Sequence, residues 1–288
     1  MKNIVKIVAL VLAFSAVFCL AACKKKENVK KAILVVSFGT SYNDSREKTI
    51  GAIEAAISKA YPDYEVRRAF TADTIINILK ERDGIQTDNV HEAMERLVAD
   101  GFKEVIIQPT HIMSGYEYDD VVKEVSNYKD KFDSFKISKT MLTTDEDYNT
   151  MVNILSKADE EFGGEGTAIV YMGHGTEHEA NATYANLQKK LTDAGKTNIF
   201  IGTVEAEPSV EDVVALAKEG GYKKVVLIPL MIVCGDHANN DMAGDEEDSW
   251  KSIFEAEGFE VQCVLRGLGE NADIQQLVVK HCGEAIKG

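Results

Sequence analysis

The sequence predicts an α/β protein made of two similar halves, each a parallel sheet flanked by helices. Three observations carry this expectation. From Ala32 onward, short apolar runs of strand length alternate with longer amphipathic stretches, the pattern of repeated βαβ units. The runs are apolar at successive positions rather than alternate ones, which suits strands covered by helices on both faces. The halves can also be laid on each other twice in the same order. Val36-Ser37-Phe38-Gly39-Thr40 falls on Met172-Gly173-His174-Gly175-Thr176, and Val105-Ile106-Ile107-Gln108-Pro109 on Val225-Val226-Leu227-Ile228-Pro229, with Gly115 on Gly235.

Before the first unit, Lys2 and Lys6 precede an apolar run, Ile7 to Ala22, in which Ser15 is the only polar residue. The run is shorter than the roughly 20 residues a bilayer span needs, and it suits a secretory signal. It ends Leu20-Ala21-Ala22-Cys23, which resembles the bacterial lipobox. That resemblance implies a signal peptide over 1–22, lipidation of Cys23, and an exported protein anchored to the outer face of a membrane. Residues 23–31 read as a lysine-rich tether that can rest on anionic headgroups.

The first α/β unit is expected over 32–146, with strands at Ala32–Phe38 and Lys103–Pro109. Helices are expected at Ser45–Ala60 and at Val90–Asp100, the second stopped by Gly101. The second unit is expected over 147–288, with strands at Thr167–Met172, Asn198–Val204 and Lys224–Val233. Its Pro208–Glu219 segment reads as a helix with proline near the start and Gly220-Gly221 past the end.

Charge and cysteine usage narrow the function. The chain carries 47 acidic against 32 basic side chains, a formal charge of −15. Lys2 and Lys6 lie in the expected signal with no acid beside them, so the remainder is more negative still. Such a polyanion repels nucleic acid, whose binding rests on Lys and Arg neutralising phosphates. Past Cys23, the cysteines Cys234, Cys263 and Cys282 show no CxxC spacing, which argues against a disulfide framework or a cysteine zinc site. No G-x-S-x-G, H-E-x-x-H or P-loop motif is present, and Gly163-Gly164-Glu165-Gly166 precedes a strand instead of following one.

Three residues combine ligand chemistry with a common place in the fold. His174 follows the strand Thr167–Met172, Glu205 ends the strand Asn198–Val204, and His237 follows the strand Lys224–Val233. Open α/β sheets bind ligands at the carboxyl ends of their strands. Two imidazoles and a carboxylate form a competent set for a borderline divalent metal with positions left open. A helix-terminal role for Glu205 and a satisfied, packed role for either histidine remain alternatives. His111, after Pro109, would face the same cleft as a substrate contact or axial ligand, or else pack as a satisfied imidazole. His178 reads as a bystander, and His91 and His281 as surface residues on helices.

At these residues the chain resembles the anaerobic-type sirohydrochlorin cobaltochelatases, of the class II chelatase family. The resemblance is carried by Val35-Val36-Ser37-Phe38-Gly39-Thr40-Ser41, Met172-Gly173-His174-Gly175, Gly202-Thr203-Val204-Glu205 and Gly267-Leu268-Gly269-Glu270-Asn271. Above all it is carried by Gly235-Asp236-His237-Ala238-Asn239-Asn240-Asp241-Met242-Ala243-Gly244-Asp245. It implies two Rossmann-like halves around a cleft and insertion of Co2+ into sirohydrochlorin without ATP, on the anaerobic route to cobalamin. The implied metal ligands are His174, Glu205 and His237, with His174 as proton acceptor.

Phe38, His111, Met113, Tyr116 and Met231 are the expected substrate-contacting surfaces. Fe2+, Ni2+ and Zn2+ fit the same donors, and the sequence leaves the oligomeric state open. Sirohydrochlorin carries eight carboxylates, so an acidic chain needs a local basic patch, for which Arg46, Lys48, Arg67 and Arg68 are the candidates. Export favours a competing reading, a lipoprotein that binds a tetrapyrrole, haem or a metal without turnover. A zinc hydrolase on the same triad is a third.

Overall fold

The computed structural model describes residues 29–288. The expected signal, Cys23 and most of the tether lie outside them. The described residues form two four-stranded parallel sheets of identical topology. The first contains β1 (Lys31–Ser37), β2 (Glu65–Phe70), β3 (Glu104–Pro109) and β4 (Ser134–Ile137), in the order β2-β1-β3-β4. The second contains β5 (Thr167–Gly173), β6 (Ile199–Thr203), β7 (Lys224–Pro229) and β8 (Glu260–Cys263), in the order β6-β5-β7-β8. Register repeats as well, since Val36 faces Pro109 across β1 and β3 just as Met172 faces Pro229 across β5 and β7. The internal overlay expected from sequence is therefore a structural duplication.

The central strands are apolar throughout because each of their faces meets a different core. On β1, Ala32, Leu34 and Val36 point into a core filled from α3 (Val90–Ala99) and α4 (Tyr116–Ser126). Ile33 and Val35 point the other way, into a core that spans both halves. On β5, Ala168, Val170 and Met172 face a core unique to the second half, while Ile169 and Tyr171 share the spanning one. Each such Val, Ile or Leu side chain contributes about 1.5–3 kcal/mol by leaving water.

Several elements differ from the sequence expectation. Strands β2, β4 and β8 were not expected. They lie at sheet edges and carry polar residues (EVRRAF, SFKI, EVQC) with partly exposed side chains, so they lack a continuous apolar run. The expected strand Lys224–Val233 stops at Pro229. Its apolar continuation, Leu230–Val233, is a loop that lines the cleft between the halves. The helix expected from Pro208 begins at Val210, as α7 (Val210–Glu219), and Ser209 rather than the proline starts it: the Ser209 hydroxyl accepts from the Asp212 amide.

The first long helix, α1, is continuous but not uniform. It runs through Asn43–Arg46, a π-type stretch Glu47–Gly51, and Ala52–Ala60. The remaining helices are α2 (Asp73–Asp83), α5 (Asp145–Phe162), α6 (Ala182–Asp193), α8 (Trp250–Ala256) and α9 (Ala272–Lys287). Thr144 caps α5, so the 146/147 boundary read from sequence falls within the first turn of that helix.

Although last in sequence, α9 packs on α1, β3 and β4 of the first sheet. Ile274, Leu277 and Val278 enter the spanning core, and the Tyr61 hydroxyl donates to the Val279 carbonyl at 2.8 Å. His281, expected at the surface, is therefore 1% exposed, its Nε2 2.8 Å from Asp147 of α5, itself fully buried. Periodicity marks a helix face as buried only when the face is uniformly apolar, and here one of its members is a paired histidine.

Candidate metal centre

Each sheet has its topological switch between its two central strands, where successive crossovers leave in opposite directions. The loops after the second sheet's strands carry the predicted ligands. One ligand atom each of His174, Glu205 and His237 lies within 4.8 Å of the others. The His174 and His237 rings meet edge to face with centroids 4.7 Å apart, and His174 Nδ1 is 3.6 Å from Glu205 Oε2. All three side chains retain solvent access, at 47%, 55% and 33% exposure, so the cluster opens onto the cleft.

Local sequence explains how the three come together. Gly175 has φ +87°, and a Cβ there would sit 2.8 Å from the Ala206 amide nitrogen, so only glycine lets the His174 loop lie against the Glu205 loop. The Glu205 amide donates to the His174 carbonyl at 2.8 Å. His174 Nδ1 is 2.9 Å from the Gly175 carbonyl, and a proton on that nitrogen leaves Nε2 as the free lone pair. His237 Nδ1 is 2.6 Å from Asp241 Oδ2, four residues on in the π-type turn Ala238–Met242. A carboxylate on the far nitrogen fixes the ring and raises the basicity of the other nitrogen, the usual support for a ligating histidine. Asp241 was missed as a functional residue, though the His-x-x-x-Asp spacing on a helical turn was a visible signal.

Cys234 stands just before this loop, but burial pushes its thiol up to about 11, so it offers no thiolate at neutral pH. Its amide donates to the buried Ser45 hydroxyl at 2.9 Å, which ties the His237 loop to α1 of the other half.

The three residues share a cleft of about 590 Å³ with the first half. Phe38, His111, Met113, Tyr116 and Met231 all line it. Phe38 is 49% and Tyr116 58% exposed, large apolar faces left uncovered. His111 is 12% exposed; its Nε2 is 3.3 Å from Glu117 Oε2, without hydrogen-bond geometry for either ring nitrogen. His178 caps the turn Glu179–Asn181 and meets Tyr116 edge to face, a structural role. His91 is on the surface, against Glu124 and Tyr128.

The bases expected to hold substrate carboxylates are elsewhere. Arg68 makes two bonds to Glu54, at 2.7 and 2.6 Å, and Arg67 pairs with Glu65 and Asp100. Arg46 is buried and donates to Asn43, and Lys48 stands 3.9 Å from Asp44. None lines the cleft. The two arginines of β2 lie on an edge strand, where neighbouring acids claim them.

With this geometry in place, comparison with known proteins decides the family. The cobalt chelatase (CbiK) family matches residues 31–287. The chain belongs to that family. Within the cobalt chelatases, a sirohydrochlorin cobaltochelatase of Salmonella typhimurium is 40% identical over 258 residues, covering 90% of this chain and 97% of the relative. Sirohydrochlorin cobaltochelatase CbiKC of Nitratidesulfovibrio vulgaris is 31% identical over 266 residues, covering 89% and 91%. The fold is shared more widely than the sequence. SirB from Bacillus subtilis, solved with Fe3+, superposes with a TM-score of 0.61 at 14% identity, covering 89% of this chain and 96% of SirB. Two parallel sheets around a cleft are thus the chelatase architecture.

Proposed function

We propose that the protein inserts Co2+ into sirohydrochlorin without ATP, on the anaerobic route to cobalamin, with Fe2+ as the alternative ion. The observation that carries this reading is the cluster of His174, Glu205 and His237 at the wall of an apolar cleft. The names of the two relatives supply the substrate. The donor set suits metal transfer, since two imidazoles and a carboxylate hold a borderline divalent ion and leave positions open for ring nitrogens. Three protein ligands bind the ion without saturating it, so transfer to four macrocycle nitrogens remains downhill.

Insertion releases two pyrrole N–H protons. An imidazole titrates near neutral pH and takes such a proton at working pH. His174 is assigned this step, with Nδ1 turned to the Gly175 carbonyl and Nε2 free to exchange its partner. Phe38, Tyr116, Met113 and Met231 present the apolar surfaces against which the ring lies, and His111 borders the same space.

The test is an insertion assay with purified protein, sirohydrochlorin and Co2+, read by the absorbance change on metallation. Rates well above the uncatalysed control, lost in His174→Ala, are expected. Rates equal to the control in both proteins would sink the enzyme reading. Retained tetrapyrrole binding in that case would favour a carrier without turnover.

A further inference from the structure

The cleft carries a charge pattern that the metal site does not use. Besides the ligand Glu205, the acids Glu117, Glu177 and Asp236 line it, and among the described residues no lysine or arginine does. The acids continue beside it, for Asp119 approaches His178 at 3.5 Å and Asp241 holds His237. The Arg82 guanidinium reaches the backbone of Ser41, a lining residue, but is held by Asp83 at 2.6 Å. The rest of the lining is largely apolar, with Phe38, Ile75, Met113 and Met231 among it. Glu177 is exposed and makes no hydrogen bond or ion pair among the described residues. Its charge is therefore unneutralised by any partner there and contributes to the potential of the cleft.

An anionic macrocycle entering such a space meets walls of its own sign. We propose that the cleft grips the tetrapyrrole by its apolar faces while the carboxylates stay in bulk water. Glu177 and Asp236 then act as specificity-determining residues that disfavour any carboxylate drawn inside. The inference rests on the chelatase reading and names how its substrate is recognised. The same negative field concentrates divalent cations at the open three-ligand site, so one set of charges favours the ion and orients the ring.

This recognition has a salt dependence opposite in sign to that of a basic clamp. Salt screens repulsion as it screens attraction, and the Debye length falls from about 30 Å at 0.01 M to about 8 Å at 0.15 M. A lysine or arginine clamp loses affinity over that range, whereas an acid-lined cleft gains it. The experiment titrates sirohydrochlorin with the metal-free purified protein at both salt concentrations and reads Kd from fluorescence quenching.

The expected result is a Kd that falls about threefold or more as salt rises. Glu177→Gln should bind more tightly than wild type at low salt with a flatter salt response, and Glu177→Lys more tightly again. A wild-type Kd that rises with salt, or a low-salt Kd unmoved by both Glu177 variants, overturns the inference. Cobalt insertion measured in parallel reports on the chelatase reading alone. Absent insertion with the expected salt response would sink that reading and leave the charge argument standing.

Discussion

At the scale of single residues, the metal cluster depends on three loops that leave the carboxyl ends of β5, β6 and β7. Asp241 supports the cluster from behind, through the π-type turn that brings it 2.6 Å from His237 Nδ1. Asp241→Ala is expected to weaken Co2+ binding about 10- to 100-fold while leaving the fold intact, as loss of the carboxylate behind a ligating histidine does; calorimetric titration with Co2+ and circular dichroism check the two halves of that statement. The second residue-scale prediction concerns His281 and Asp147. Burial raises the Asp147 pKa, but hydrogen bonds from His281 and Thr144 outweigh it and hold the carboxyl at about 2, against an ordinary 3.8. Burial likewise lowers His281, and Asp147 opposes it without prevailing. The unfolded chain takes up a proton at His281 as the pH falls through about 6.5 while the folded chain resists. Stability is therefore lost as pH falls below that value, and Asp147 adds a further loss below 3.8. Urea midpoints at neutral and mildly acid pH should fall less steeply in His281→Gln than in wild type. Asp147→Ala, which leaves the buried His281 imidazole without its partner while Lys139 keeps Glu284, should cost about 1–3 kcal/mol at neutral pH.

At the scale of elements, the five inner or strongly apolar strands were readable and the edge strands β2, β4 and β8 were not. An edge strand shows one side to solvent, so its sequence can hold Arg67 and Arg68, provided their charges find Glu65, Asp100 and Glu54. The same pairing made these arginines misleading as substrate contacts. Glycines at the strand ends are where sequence and site meet most closely. A Cβ at Gly173 would lie 2.3 Å from the Tyr184 ring, and one at Gly175 would clash with Ala206 and face a positive φ. Gly175→Ala should therefore displace the His174 loop from the Glu205 loop, reducing Co2+ affinity more than it lowers Tm. An affinity unchanged within error would show that the loop can shift without moving its histidine.

At the scale of the molecule, the duplication was visible because two strand-turn segments repeat in order, and β1 with β3 superposes in register on β5 with β7. The return of α9 to the first sheet was not visible, since an amphipathic helix does not name the surface it will cover. Ending the chain at Asn271 removes Ile274, Leu277, Val278 and Cys282 from the spanning core, and the shortened chain should fail to fold cooperatively in denaturant. The placement of the whole body is the part furthest from the sheets. We propose that Cys23 carries a lipid on the exported protein; Cys23→Ala should move it from the membrane to the soluble fraction, and a wild type already soluble would refute the anchor.

The crossing of α9 has a temporal meaning as well. A chain is synthesised from its amino end, and domains generally fold as units in that order. Here the first sheet cannot close its inner face until the final helix, which begins 135 residues after β4 ends, has emerged. Nascent first halves should thus remain protease-sensitive until synthesis ends, and the two matching sheets reach their native state together or not at all.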